Sequence, residues 1–304
     1  AAAGLGAFLA LADTLRKTPE AFSGRIIYLG TPAEESDAGK ENMARAGAFD
    51  TADAAIMVHP YFIDVADQAW LGRRECLVTY CGISAHASSH PFMGRNALDA
   101  AALAYQGLGL LRQQLPVSDR IHAIIDNGGQ TPNLIPQTAS LHINIRSRYA
   151  PTLRALSHRI EDVLHGAALM AGVQADIRWD SSPMTMPVRS NQTLGQRWVL
   201  AQREIGRNPY PAGTISDTLA ASTDFGNISL RLPGIHPLIL EGDHERRIPL
   251  PEKASRRGES GHGEMLLHER TGHIILIVIS DNRIDQFHFD SPPFRSPASP
   301  ARQS

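Results

Sequence analysis

Apolar positions run through this chain in two rhythms. Residues 3–17 carry Leu5, Phe8, Leu9, Leu11, Ala12 and Leu15 at three- and four-residue spacing, which predicts a helix with one broad apolar face. Arg25-Ile26-Ile27-Tyr28-Leu29-Gly30 is a continuous apolar run of strand length and reads as a buried strand. A short helix is expected over 41–48. Asp53-Ala54-Ala55-Ile56-Met57-Val58 reads as a second buried strand, closing on His59-Pro60. Helix, strand, helix, strand is the sequence of an α/β domain whose mostly parallel sheet carries helices on its faces.

The pattern then changes. Strands are expected at 74–82, 120–126, 138–146 and 173–179, and long helices at 95–115 and 151–171. Leu98, Ala101, Ala102, Tyr105, Leu108 and Leu111 form the stripe of the first helix, and Pro151 opens the second. The order β-α-β-β-α-β is that of the ferredoxin-like unit, and it predicts an inserted domain over 74–182. Residues 192–206 are again helical and Ile235–Leu240 is strand-like, so 1–73 and 183–240 read as two parts of one domain. From Glu241 to Arg270 the chain holds seven acids and six bases in thirty residues, with little apolar periodicity. Residues 241–304 are therefore expected to be an atypical, poorly ordered tail with one β-prone run, Ile274-Ile275-Leu276-Ile277-Val278-Ile279, and a Pro/Ser-rich end.

Composition narrows the function classes. A chain of 304 residues has room for about two domains. Lys+Arg 29 against Asp+Glu 31 leaves no basic face for nucleic acid. No apolar run approaches the ~20 residues of a membrane span. The two cysteines, Cys76 and Cys81, lie five apart on one strand, point to opposite faces and are not expected to bridge, which fits a reducing, cytoplasmic setting. Ala1-Ala2-Ala3-Gly4 reads as helix interior, so the chain is expected to begin within a domain.

The chemistry concentrates at Thr31-Pro32-Ala33-Glu34-Glu35-Ser36. Two adjacent carboxylates just past a buried strand are costly to desolvate unless a cation is present. A metal ion removes that cost: one glutamate ligates it while its neighbour handles the proton of a metal-activated water. His59 follows the second strand. In sheets of this kind ligands gather at the carboxyl ends of the strands, where Glu34, Glu35 and His59 all fall.

Gly30-Thr31-Pro32-Ala33-Glu34-Glu35 and Ala55-Ile56-Met57-Val58-His59-Pro60 resemble motifs of the M20 metallopeptidases, in the branch of aminoacylase-1-like and aminobenzoyl-glutamate hydrolases. Further motifs follow in the same order. Gly82-Ile83-Ser84-Ala85-His86-Ala87 and Gly94-Arg95-Asn96-Ala97-Leu98-Asp99-Ala100-Ala101 resemble the opening of the family's lid domain. Gly128-Gly129-Gln130-Thr131-Pro132-Asn133-Leu134-Ile135-Pro136 and Ser222-Thr223-Asp224-Phe225-Gly226-Asn227 resemble two later motifs. The resemblance covers roughly residues 1 to 240. It implies a zinc-peptidase-like catalytic domain, a ferredoxin-like lid and dimerisation domain, and two divalent metal ions, zinc or manganese. Glu34 would be the general base, with Glu35 and His59 as metal ligands. His86 would stabilise the oxyanion in the site of the other subunit of a homodimer. Asn133 and Arg146 would hold the substrate's amide and carboxylate, and Asp224 would touch substrate or lie one layer behind it.

Two departures from the family bear on activity. Its earlier metal motif, Cys-Gly-His-Asn in this branch, would lie ahead of Ala1, and its closing metal histidine would follow Leu240, where the sequence ceases to resemble the family. The expected function is metal-dependent hydrolysis of an amide in a small dipeptide or N-acyl amino acid. The alternative is an inactive, dimerising remnant that binds small carboxylates.

Overall fold

The computed structural model describes residues 2–21, 24–34, 38–216 and 221–240, together with the backbone strand of 273–280. Glu35 and most of the 241–304 tail, expected to be poorly ordered, lie outside the described residues.

The chain opens with α1 (Ala2–Lys17) and β1 (Gly24–Thr31), followed by α2 (Gly39–Arg45), β2 (Ala54–Met57) and β3 (His59–Tyr61). After the second group of elements it returns as α5 (Gln192–Glu204), α6 (Phe225–Ser229), β8 (Gly234–Ile235) and β9 (Leu238–Leu240). The strand-like run at 235–240 is thus split in two, at His236-Pro237. Proline has no N–H for a ladder, and the chain crosses there from one sheet to another. Phe49, Ala55, Met57, Ile63, Val65, Trp70, Phe225, Ile228 and Leu238 pack into one buried core, so residues far apart in sequence build a single body. α1 leans on it through Phe8, whose ring lies 5.7 Å from that of Tyr28.

The main sheet of this body has the order β1-β10-β2-β8, where β10 is His273–Ser280. β10 runs antiparallel to both neighbours, and only β2 and β8 pair in parallel. A separate pair, β3 and β9, is parallel. The expected mostly parallel sheet is therefore mixed. The β-prone run of the tail occupies the position between the first two strands, where its backbone groups pair on both sides; an unpaired edge there would leave N–H and C=O groups without partners.

The second body is β4 (Gly72–Cys81), α3 (Ala97–Leu111), β5 (Arg120–Asn127), β6 (Thr138–Ser147), α4 (Ala150–Ala171) and β7 (Gln174–Trp179). Its strands form an antiparallel sheet in the order β5-β6-β4-β7. Both helices pack on one face, over Cys76, Val78, Tyr80, Leu141, Ile143 and Ile145. Period-2 alternation explains the other face: Arg73, Glu75, Leu77 and Thr79 of β4 and His142, Asn144 and Arg146 of β6 point away from the helices. Asn96 caps α3 by accepting the amide of Leu98, and Gly172, at φ 65°, closes α4 in the left-handed conformation that a Cβ disfavours. Cys76 is buried, Cys81 is exposed, and both are free thiols, as expected from their spacing.

Candidate active site

β1 and β2 run in the same direction, because each is antiparallel to β10. Leu29 and Met57 both lie opposite Ile275, and β1 runs two residues further, to Thr31 opposite His273. One intervening strand separates β1 and β2, about 10 Å at two inter-strand spacings. The segments carrying Glu34 and His59 therefore leave the same end of the sheet, on either side of β10. Glu34 is half-buried.

His59 sits at the start of β3. Its Nδ1 lies 2.7 Å from the carbonyl of Pro60. A carbonyl only accepts, so Nδ1 carries the proton and Nε2 holds the lone pair, the tautomer a metal-binding imidazole requires. Beside it stands His236, a residue that motif reading missed. His236 is 2% exposed and donates Nδ1–H to the carbonyl of Met57 at 3.0 Å. Its ring stacks on Trp70 at 4.4 Å and meets the His59 ring edge-on at 5.9 Å. The dipeptide His236-Pro237 repeats His59-Pro60, and that repetition was the available signal.

Asp224 precedes α6 and is 1% exposed. Both its oxygens are engaged by Lys40, one by the amide at 2.9 Å and the other by the ammonium at 2.5 Å. Burial raises its pKa; the Lys40 charge and hydrogen bonds oppose the rise, and the nearby charge of Glu34 adds to it. Next to Lys40, Glu41 is held by Arg231, Arg45 and Asn227. Lys40 and Glu41 carry no motif of their own, and only the fold reveals their partners.

The remaining candidates lie on the second body. His86 is exposed, and its Nδ1 accepts hydrogen bonds from the amides of Ser88 and Ser89, each at 3.3 Å. Nε2 must then carry the proton, so His86 presents an outward-facing donor. The fold brings Asn133 to it: the amide of Ala87 donates to the Asn133 carbonyl at 3.0 Å, and His86 bridges Leu134. Asn133 accepts from the Thr131 hydroxyl at 2.5 Å.

Arg146 is at the opposite end of the sheet. It faces Arg73 across one ladder and Arg120 across the other. Burial depresses its pKa, the Arg73 charge adds to the depression, and Glu75 opposes both. From Thr138, next to the His86 end, to Arg146 is about 27 Å along β6 at ~3.4 Å per residue. Arg146 lies at the junction with the first body, where Arg73 bridges Thr185 and Leu71 bridges Ser222. Within one chain, then, Arg146 is close to the body that carries Glu34 and His59, while His86 and Asn133 are a sheet-length away.

Among the described residues no group of three or more His, Cys, Asp or Glu side chains comes together as a metal site. His59 has the chemistry of a ligand. The described donor set falls short of the three or four protein ligands a zinc site ordinarily uses. No helix among the described residues is long and apolar enough to cross a membrane.

Comparison with known proteins defines the class. Residues 72–169 match the model of a peptidase dimerisation domain. Over 237 residues the chain is 37% identical to a human Xaa-Arg dipeptidase, covering 78% of this chain and 53% of that protein. Over 262 residues it is 28% identical to one of the polypeptides of the p-aminobenzoyl-glutamate hydrolase of Escherichia coli, covering 69% of this chain and 54% of that protein. Among solved structures, it shares its fold with an aminobenzoyl-glutamate utilization protein from Klebsiella pneumoniae, with a TM-score of 0.57 at 21% identity over 69% of this chain and 56% of that one. A dinuclear metal binding peptidase of the M20 family from Bacillus subtilis gives a TM-score of 0.52 at 20% identity, over 69% and 54%. The chain belongs to the M20 peptidase family. It spans about half the length of the curated relatives it matches.

Proposed function

We propose that this chain carries the core of a metal-dependent hydrolase that cleaves an amide bond in a small dipeptide or N-acyl amino acid. The observation that carries the reading is the shared direction of β1 and β2, which sends the segments that carry Glu34 and His59 out of the same end of the sheet, with His59 in a tautomer that suits a ligand. Residues 1–73 and 183–240 would be the catalytic domain. Residues 74–182 would be its ferredoxin-like lid and dimerisation domain.

Each residue has a separable task. Glu35 and His59 would hold a divalent ion, zinc or manganese, with further ligands from outside the described residues. Such an ion, when bound, makes a water far more acidic, bringing its pKa toward ~7. Glu34 accepts the proton of the attacking water and returns it to the leaving amine, a role that typically contributes ~10²–10⁴-fold. Arg146 binds the substrate carboxylate, since its planar fork matches two carboxylate oxygens. His86 donates Nε2–H to the tetrahedral oxyanion, a contact typically worth ~3 kcal/mol, and Asn133 holds the amide. Because His86 and Asn133 lie a sheet-length from Arg146, they serve the site of a second copy, and the working unit is a homodimer.

A second reading is an inactive dimerising remnant. The observation in its favour is the short donor set among the described residues. Metal content and turnover separate the two. The purified chain is loaded with excess zinc or manganese, dialysed and analysed for metal, then assayed on a panel of dipeptides and N-acyl amino acids. About two ions per chain and turnover above ~1 s⁻¹ support the hydrolase. No retained metal and no turnover support the remnant.

A further inference from the structure

The turn between β1 and α2 carries the proposed base, and it is shaped by contacts that no motif announces. Its two limbs touch. The amide of Gly39 donates to the carbonyl of Ala33 at 3.2 Å. A Cβ on Gly39 would fall 1.8 Å from the carbonyl oxygen of Pro32, so only glycine admits this approach. Ala33 and Ala38 both sit at positive φ, 59° and 46°, a conformation that L-residues hold only when their surroundings fix it.

The first turn of α2 is held from far along the chain. Ala38, at the N-cap of α2, offers no side-chain acceptor, and the first amides of a helix need partners. Asp224 supplies one. It spans the Lys40 amide and the Lys40 ammonium, 184 residues away in sequence, and both side chains are fully buried. Glu41, one residue on, is tied to Arg231 and Asn227 of the same α6 region. A buried ion pair is poor value as stabilisation alone, because apolar residues of similar volume do as well or better. An acid that grips both the amide and the ammonium of one residue instead fixes an orientation, which apolar packing does not.

We infer that Lys40 and Asp224 are positioning residues: their buried pair fixes the first turn of α2, whose Gly39 amide ties back to Ala33, and so holds the backbone that carries Glu34 at the strand end. The inference rests on the reading of Glu34 as the base. It deepens that reading by naming what holds the backbone of the base.

The test uses the full chain with Lys40→Met and Asp224→Leu combined, a pair that keeps the volume and removes the charges, and with Asp224→Asn alone as a milder change should the double variant fail to fold. Amide exchange by NMR is read at Gly39, whose bond to Ala33 reports the closed turn. Ala55, bonded to Pro233 at 2.9 Å in the same body, is the control. Gly39 is expected to exchange at least ~10-fold faster while Ala55 is unchanged. In parallel, kcat on the best substrate of the panel is expected to fall ~10²-fold, the effect of a misplaced group, with KM within a few-fold. Unchanged Gly39 exchange in a folded variant overturns the inference, as does unchanged kcat in an active chain. If the unsubstituted chain has no turnover, the hydrolase reading fails for this chain, and Gly39 exchange alone decides whether the pair locks the turn.

Discussion

Glu41 offers a sharp test of how the first turn of α2 is held. It is 6% exposed, and burial alone would raise its pKa. Hydrogen bonds from Arg231, Arg45 and Asn227, reinforced by the Arg231 charge, more than reverse that and bring it from the ordinary 4.5 to about 2. At ~1.4 kcal/mol for each tenfold change in proton affinity, the network stabilises the fold by about 3 kcal/mol before screening. Arg231 and Arg45 are 42% and 64% exposed, so solvent weakens their share, and about 2 kcal/mol is the expected figure. The sign follows from linkage. A carboxylate with a depressed folded pKa contributes fully above its unfolded value near 4.5, and the contribution fades as pH falls toward 2. Glu41→Gln should therefore destabilise the first body by about 2 kcal/mol at pH 7 and by little at pH 2. Urea denaturation followed by the fluorescence of buried Trp70, with Trp179 and Trp198 replaced by Phe, reads that body alone. Wild type and variant should converge between pH 5 and pH 2. Parallel stability curves across that range would refute the reasoning.

Three further outcomes are expected. Burial pushes the Cys76 thiol up to about 12 whereas Cys81 is exposed, so iodoacetamide at pH 8 should label one thiol in the native chain and two after unfolding; mass spectrometry counts them. Ile277 pairs with Ile27 on one side and Ala55 on the other, so Ile277→Pro should break both ladders and raise amide exchange across β1 and β2 while sparing β6; equal exchange in the variant would show that β10 does not hold the sheet. Glu34→Gln and His86→Ala chains should each be ~10²–10⁴-fold impaired yet regain up to about a quarter of activity when mixed and allowed to exchange, since one site of the mixed dimer draws Glu34 and His86 from intact copies; no recovery would place His86 in the site of its own chain.

How much of this could be read in advance follows from the range of the forces involved. Helices and strands of the second body were legible because the period of apolar residues is a local property, and Leu98 to Leu111 or Ala139 to Ile145 state it within one element. Cysteine pairing was legible for the same reason: five residues along one strand fixes the facing of Cys76 and Cys81. Glu34, Glu35 and His59 stood out because charged or ligating groups just past buried strands are expensive without a purpose. Lys40, Asp224, Glu41 and Arg231 did not stand out, because their meaning lies in partners 184 and 190 residues away.

The sequence by itself determined the periodicity of most helices and strands and the chemical identity of the candidate groups. Tertiary structure alone decided that β10 lies antiparallel between β1 and β2, since backbone ladders pair by geometry and carry no address in the side-chain pattern. It also decided that His86 and Arg146 stand at opposite ends of one sheet, and that a buried lysine and aspartate from distant segments meet beneath the turn of the proposed base. Burial converts such meetings into strong constraints: once water is excluded, a charge must find its partner, and only the folded chain says which partner is there.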